Sequence, residues 1–295
     1  MLMFGCAVRR SVVPPHALLT APRLWPRTAR WRFATGLVLS SLIASVSVRR
    51  RTLTRDGALA AIGVGTSVTV GGGVGWAVPM VGFFVASSAL SALGRQRKVA
   101  LMDIVERGAE RNWTQVLANG GVASGLALLS AVQPRRARTL ALAAFGSIAA
   151  AAADTWATEL GVLSPRPPRL ITTGQLVPPG TSGGVTRVGM LGGLAGAGWV
   201  ALLAAPVLPR PRAHSLLVLT IAGWAGMMVD SLLGATLQVV RWCPRCQRPT
   251  ERRIHRCGTP THYQRGLPWL DNDLVNLVAT ATGALVAVLA GLRAR

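Results

Sequence analysis

Charge is scarce in this 295-residue chain: Asp, Glu, Lys and Arg make up 14% of it, against 51% hydrophobic residues, and mean hydropathy is positive. A soluble domain carries about 25% charged residues, so the composition argues against a water-soluble core. Lysine is nearly missing, with Lys98 the only one, and ten acidic residues face 32 basic ones. Aromatic residues are 5% of the chain. A nucleic-acid surface of cations interleaved with aromatics is therefore not supported, although the formal net charge is +22. The cations do not form one patch. They fall between apolar blocks, where they set membrane orientation and meet anionic headgroups. The four histidines (His16, His214, His255 and His262) make no Ser/Asp or Cys/Asn arrangement suited to a nucleophilic triad.

What is abundant is apolar sequence in blocks. About 20 apolar residues cross a bilayer as a helix. Blocks of that kind lie at 33–48, 57–75, 76–93, 115–133, 139–157, 188–208, 214–234 and 274–292. They predict an all-α fold, a polytopic transmembrane helical bundle of about seven or eight spans. The count turns on the first block, which is short, and on the second and third, which are fused through Gly71-Gly72-Gly73-Val74-Gly75. That glycine run lacks the Lys and Ser/Thr that follow in a P-loop, and it reads as a turn or a helix-packing surface. Gly192 and Gly196 stand four apart on one helix face, which predicts close approach of a neighbouring helix.

Residues 1–32 read as a basic leader, because no acid appears before Asp56 while Arg9, Arg10, Arg23, Arg27, Arg30 and Arg32 precede the first span. An Arg-rich, acid-free leader resembles a plastid or mitochondrial targeting segment; a disordered basic tail is the other reading. Residues 33–295 read as one membrane domain with a Cys/His-containing loop at 235–273. If all eight spans cross, the connectors at 49–56, 94–114, 158–187 and 235–273 share one side and carry 19 Lys and Arg. The opposite side carries 7 beyond the leader. That bias places the large loops inside.

Half of the ten acids fall at or just within predicted helix ends, all on that loop side: Asp154, Glu159, Asp230, Asp271 and Asp273. An ionisable group near hydrocarbon costs several kcal/mol unless paired, so function is its default reading. Asp154 and Thr158, like Thr155 and Glu159, are four apart and share helix faces. Asp230 with Ser231 and Gln238, Asp273 with Asn276, and Asn119 come from three further helices. Oxygen ligands converging in this way suit Mg²⁺ bound to phosphates, with Asp154, Glu159 and Asp273 as its ligands. The structural alternatives are an N-cap for Asp271, a helix-dipole contact for Asp273 and an arginine pair for Asp154. The run Gly180-Thr181-Ser182-Gly183-Gly184, directly before a helix, reads either as a phosphate cradle or as a flexible linker. In the 235–273 loop, Cys243, Cys246, His255 and Cys257 are spaced C-x2-C-x8-H-x-C, which can close a structural tetrahedral Zn²⁺ site or be free thiols.

Several of these blocks, with others, resemble the transmembrane protein 19 type of integral membrane family, whose plant members include phytyl-phosphate kinase. The resemblance is carried by Phe83-Phe84 with Ser87-Ser88, by Gln115 to Gly121, and by Asp154-Thr155-Trp156-Ala157-Thr158-Glu159-Leu160-Gly161. Pro179 to Gly184 and Asn272-Asp273-Leu274-Val275-Asn276 extend it. Many members carry a Lys after the Ser-Ser region, where this chain has Ser91-Ala92-Leu93-Gly94 and reaches Lys98 later. The resemblance implies a multi-pass membrane protein, and the leader, where it is a targeting segment, points to a plastid or mitochondrial membrane. It also implies a Mg²⁺-dependent kinase of an isoprenoid alcohol or isoprenyl phosphate, with a nucleoside triphosphate as co-substrate. On that reading Asp154, Glu159, Asp230 and Asp273 are catalytic, and Gly180 to Gly184, Asn119 and Asn276 bind phosphate or nucleotide. Arg187 or Lys98 offsets the phosphate charge. The partners expected are the bilayer and an isoprenoid lipid, with no nucleic acid. A transporter or channel using the same acids, and a non-enzymatic membrane protein, are the rival expectations.

Overall fold

A computed structural model describes residues 27–93, 110–208 and 212–292. Most of the leader, and Lys98, lie outside them. Among the described residues eight α-helices are formed: α1 (Arg27–Arg49), α2 (Arg55–Gly72), α3 (Val74–Leu93), α4 (Trp113–Val132), α5 (Ala137–Gly161), α6 (Arg187–Ala204), α7 (Arg212–Thr236) and α8 (Asn272–Leu292). Among the described residues, seven are long and apolar enough to cross a membrane, and α2 is the exception. The expected all-α bundle of seven or eight spans is thus what the chain builds. The first helix starts six residues earlier than its apolar block, so the arginines at 27–32 belong to α1. The junction inside the glycine run is a turn of one residue: Gly73, at φ 74°, caps α2 and α3 begins at once.

Helix α5 is the centre. It packs against α3, α4, α6, α7 and α8, and every residue from Leu140 to Asp154 is buried. In lipid the apolar surface of a helix gains little by touching another helix, so association depends on close packing and small residues. The Ala149-to-Ala153 run supplies that on α5. The neighbours supply glycine. A Cβ on Gly196 would stand 2.7 Å from Ala152 O, and one on Gly192 3.0 Å from Trp156 O. The expected glycine face on α6 therefore packs on α5. Large exposed side chains such as Leu191, Leu202, Leu217 and Leu285 point away from this core.

The connectors meet at one end of the bundle. Leu53 and Arg111 form a backbone bridge between the α1–α2 and α3–α4 connectors, and Thr54 N donates to Arg111 O at 3.1 Å. Among the described residues two small antiparallel sheets lie in the connectors. β1 (Arg169–Leu170) pairs with β2 (Gly184–Val185), and β3 (Val240–Cys243) is the middle strand between β4 (Arg248–Thr250) and β5 (His262–Arg265). Such short strands carry no long alternating pattern by which they could be read from local sequence.

Candidate functional site

The site grows from two helix faces. Along α5, Asp154, Ala157, Thr158 and Gly161 recur at intervals of three and four, and all four line one cavity of about 420 Å³. Along α7, Met227, Asp230, Ser231 and Gly234 do the same and line the same cavity. Asp154 is seven residues from the end of α5 and Asp230 six from the end of α7, so each carboxylate sits about 10 Å inside its helix end. They are at matching depths, below the face where the connectors gather. Met190 and Met227 give the inner wall an apolar character, while Pro165, Arg166 and the glycine-rich loop form the rest of the rim.

All five residues from Gly180 to Gly184 line the cavity. The loop is held from three directions. Gly184 pairs with Leu170 in the two-stranded sheet, Ile171 N donates to Gly183 O at 3.0 Å, and Thr186 caps α6 by accepting from Gly189 N at 3.0 Å. Gly183 is required as glycine: its φ is 78°, and a Cβ there would stand 2.5 Å from Ala235 N on α7. Thr181 N and Gly184 N bond within the loop's own turns, to Pro178 O and Thr181 O. The amides of Gly180, Ser182 and Gly183 have no intramolecular acceptor among the described residues. A loop of this kind presents N–H groups and hydroxyls to an anion at a helix N-terminus.

Glu251, which is not one of the five acids at helix ends, is part of the cavity wall. Its Oε1 accepts from Ser182 Oγ at 2.6 Å and from Gln238 Nε2 at 2.7 Å. Ser182 is 69 residues away in the chain, and no local pattern announces such a pairing. Arg166 is the cavity's cation, while Arg187 is exposed and outside the lining.

The other expected residues lie elsewhere. Glu159 accepts from Ser91 Oγ of α3 at 2.6 Å, and it does not line the cavity. Five residues of helix separate it from Asp154, a rotation of about 140°. Asp273 accepts from Thr114 Oγ1 at 2.5 Å, and Thr280 Oγ1 donates to Ala118 O at 3.1 Å. The face of α8 bearing Asp273, Asn276 and Thr280 is therefore turned to α4. Asn276 is buried there, with neither amide atom partnered among the described residues. Asn119 donates to Gln115 O of its own helix at 2.9 Å. Of the α8 polar cluster, Asn272 lines the cavity. The donors around the cavity (Asp154, Asp230, Thr158 and Ser231) are oxygen groups, which fits a hard divalent cation such as Mg²⁺.

The Cys/His loop folds into the three-stranded sheet. Cys243 ends β3, and Cys246 lies in the turn to β4, its amide 3.5 Å from Cys243 Sγ. A second tight turn, closed by Gly258 N donating to His255 O at 2.9 Å, presents His255 and Cys257. The ligand atoms of all four residues lie within 4.8 Å of one another. Hydrogen bonds with Thr259 and His255 hold the Cys257 thiol down at about 5, while its bond with Cys257 pushes Cys246 up to about 11.

The profile described as "Integral membrane protein DUF92" matches residues 38–284, which takes in the cavity, its loop and the Cys/His lobe. Protein PGR of Arabidopsis thaliana is 32% identical over 272 residues, covering 85% of this chain and 93% of that protein. An uncharacterized membrane protein of Methanocaldococcus jannaschii is 29% identical over 259 residues, covering 88% and 94%. Protein VTE6, chloroplastic, also of Arabidopsis thaliana, is 25% identical over 243 residues, covering 80% of this chain and 65% of its own length. No solved structure matches. The family resemblance read from the motifs is thus borne out, and the chain belongs to the DUF92 family of multi-pass integral membrane proteins.

Proposed function

We propose that this protein is a Mg²⁺-dependent kinase that phosphorylates an isoprenoid alcohol or an isoprenyl phosphate of the phytyl type at the membrane surface. The observation that carries this reading is the cavity itself, in which carboxylates from two helices face a Gly/Thr/Ser loop at the membrane edge. Asp154 and Asp230 would hold the cation, with Thr158 and Ser231 beside them. Mg²⁺ held by these residues would supply charge neutralisation for the phosphates. The loop from Gly180 to Gly184 takes the nucleotide phosphates through its free amides, and Arg166 on the rim offsets the remaining charge. Met190 and Met227 receive the first carbons of the lipid tail, so its oxygen stops near the carboxylates. Either carboxylate, at that depth, can take the proton leaving an acceptor hydroxyl or phosphate. Phosphoryl transfer asks mainly for positioning and charge neutralisation, and these residues supply both. The chloroplast address in the name of one plant relative, together with the acid-free leader, supports a plastid membrane.

The test is phosphate transfer by purified protein in lipid vesicles, supplied with phytyl phosphate or geranylgeranyl phosphate, CTP or ATP, and Mg²⁺. Product formed by the wild type and lost in a folded Asp154→Asn protein supports the kinase. Folded protein that makes no product with any pair removes it and brings transport forward.

A further inference from the structure

The Cys/His lobe has no apolar interior of its own. Inside its sheet and turns the only buried apolar side chain is Val240 at the root of β3, and the others buried there are Cys243, Thr250 and His255. A unit this small that lacks a hydrophobic core needs a staple, either a disulfide or a metal. A disulfide is the poorer answer. Cys243 Sγ and Cys257 Sγ are 3.7 Å apart, far beyond the roughly 2.05 Å of a bond, and pairing any two of the three cysteines strands the third. A tetrahedral metal fits better. Zinc–sulfur bonds of about 2.3 Å set their sulfurs about 3.8 Å apart, close to the separation found. The fourth donor, His255 Nδ1, stands 3.2 Å from Cys257 Sγ. Two turns each supply two ligands, and the Cys246 amide points at a sulfur as expected around a thiolate.

The position of the lobe matters as much as its chemistry. Glu251 lies between the two ligand turns, one residue past β4, and its Oε1 reaches Ser182 in the glycine-rich loop and Gln238 two residues beyond α7. We propose that Cys243, Cys246, His255 and Cys257 bind one structural Zn²⁺, and that this metal fixes the lobe so that Glu251 braces the Gly180–Gly184 loop from outside. Binding releases the thiol protons to solvent and leaves no open coordination position, so the metal takes no part in chemistry. Three thiolates and a neutral imidazole around Zn²⁺ carry one net negative charge. Arg241, Arg245, Arg248, Arg252, Arg253 and Arg256 in the same segment oppose it. Glu251 is a positioning residue. The proposal holds whatever the cavity binds, since it concerns the loop's order and not turnover.

The experiment uses the full chain in detergent, with metal content by mass spectrometry and hydrogen exchange followed on the peptide spanning residues 180–186. Wild type is expected to carry about one zinc per chain. Cys246→Ser, at a half-buried turn position, should lose the metal while keeping its helix content, and exchange in the loop should rise by about tenfold or more. Stripping zinc from wild type with a mercurial and a chelator should do the same, and zinc added back after thiol should reverse it. Glu251→Ala should keep the metal yet exchange as fast as the stripped protein. Metal-free wild type with freely reactive thiols would overturn the site. A loop equally protected with and without zinc, or in Glu251→Ala, would overturn the brace.

Discussion

Asp154 and Glu159 stand five residues apart on α5, and that interval separates their roles. Asp154 shares its face with Ala157, Thr158 and Gly161 and looks into the cavity, while Glu159 turns to Ser91 on α3. For the proposed kinase, Asp154→Asn is expected to lower turnover by about a hundredfold or more with the melting temperature held, since that reading makes Asp154 a group that organises transferring phosphate. Glu159→Gln keeps an acceptor for Ser91 and should cost less than about tenfold in the same vesicle assay. Gly183→Ala makes a different demand. A side chain at φ 78° facing the α7 backbone at 2.5 Å forces the loop to shift, at a cost of about 1–3 kcal/mol, visible as a lower melting temperature and a raised KM for nucleotide. At this scale the sequence was only partly legible. Scarcity made Asp154 and Asp230 conspicuous, whereas Glu251 sits among arginines and acquires its meaning from a serine on another connector.

Among the elements, α5 and α6 show what periodicity can and cannot tell. Glycines four apart on α6 declared a packing face from local sequence alone. That the face meets α5 at Ala152 and Trp156 is a long-range fact. Gly196→Leu should place a branched chain against the α5 carbonyls and the Trp156 ring, destabilising the bundle by about 1–3 kcal/mol. Thermal unfolding in detergent would report it, and Gly198→Leu is the control, because the nearest atom to a Cβ there is 3.9 Å away. The β-pairings in the connectors were illegible for a simple reason. Strands of two to four residues are specified by their turns and by the partners that flank them, not by a hydrophobic alternation.

For the molecule as a whole, the distribution of cations anticipated how the connectors gather. Backbone bonds between Thr54 and Arg111, and side-chain bonds from Thr114 to Asp273 and from Ser182 to Glu251, tie the four connectors of one parity together. The span count was legible because a bilayer demands length and apolarity, two properties that need no tertiary information. An impermeant thiol reagent applied to oriented vesicles should therefore reach a cysteine placed at Arg135 from one side only, and one placed at Arg253 from the other only. Labelling of both from one side would refute the crossing pattern.

The weak apolarity of α2 bears on how the chain enters the bilayer. α2 begins with Arg55 and Asp56, carries buried Thr66 and Thr69, and is not apolar enough to count as a span by composition. Gly73 alone separates it from α3, so there is no tether long enough for α2 to linger outside once α3 has partitioned into lipid. The two must then be handed over together as a helical hairpin during synthesis, the hydrophobic arm carrying the reluctant one. A truncated nascent chain ending before Gly73 should leave α2 accessible at the translocon mouth, and one extended through Leu93 should bury it.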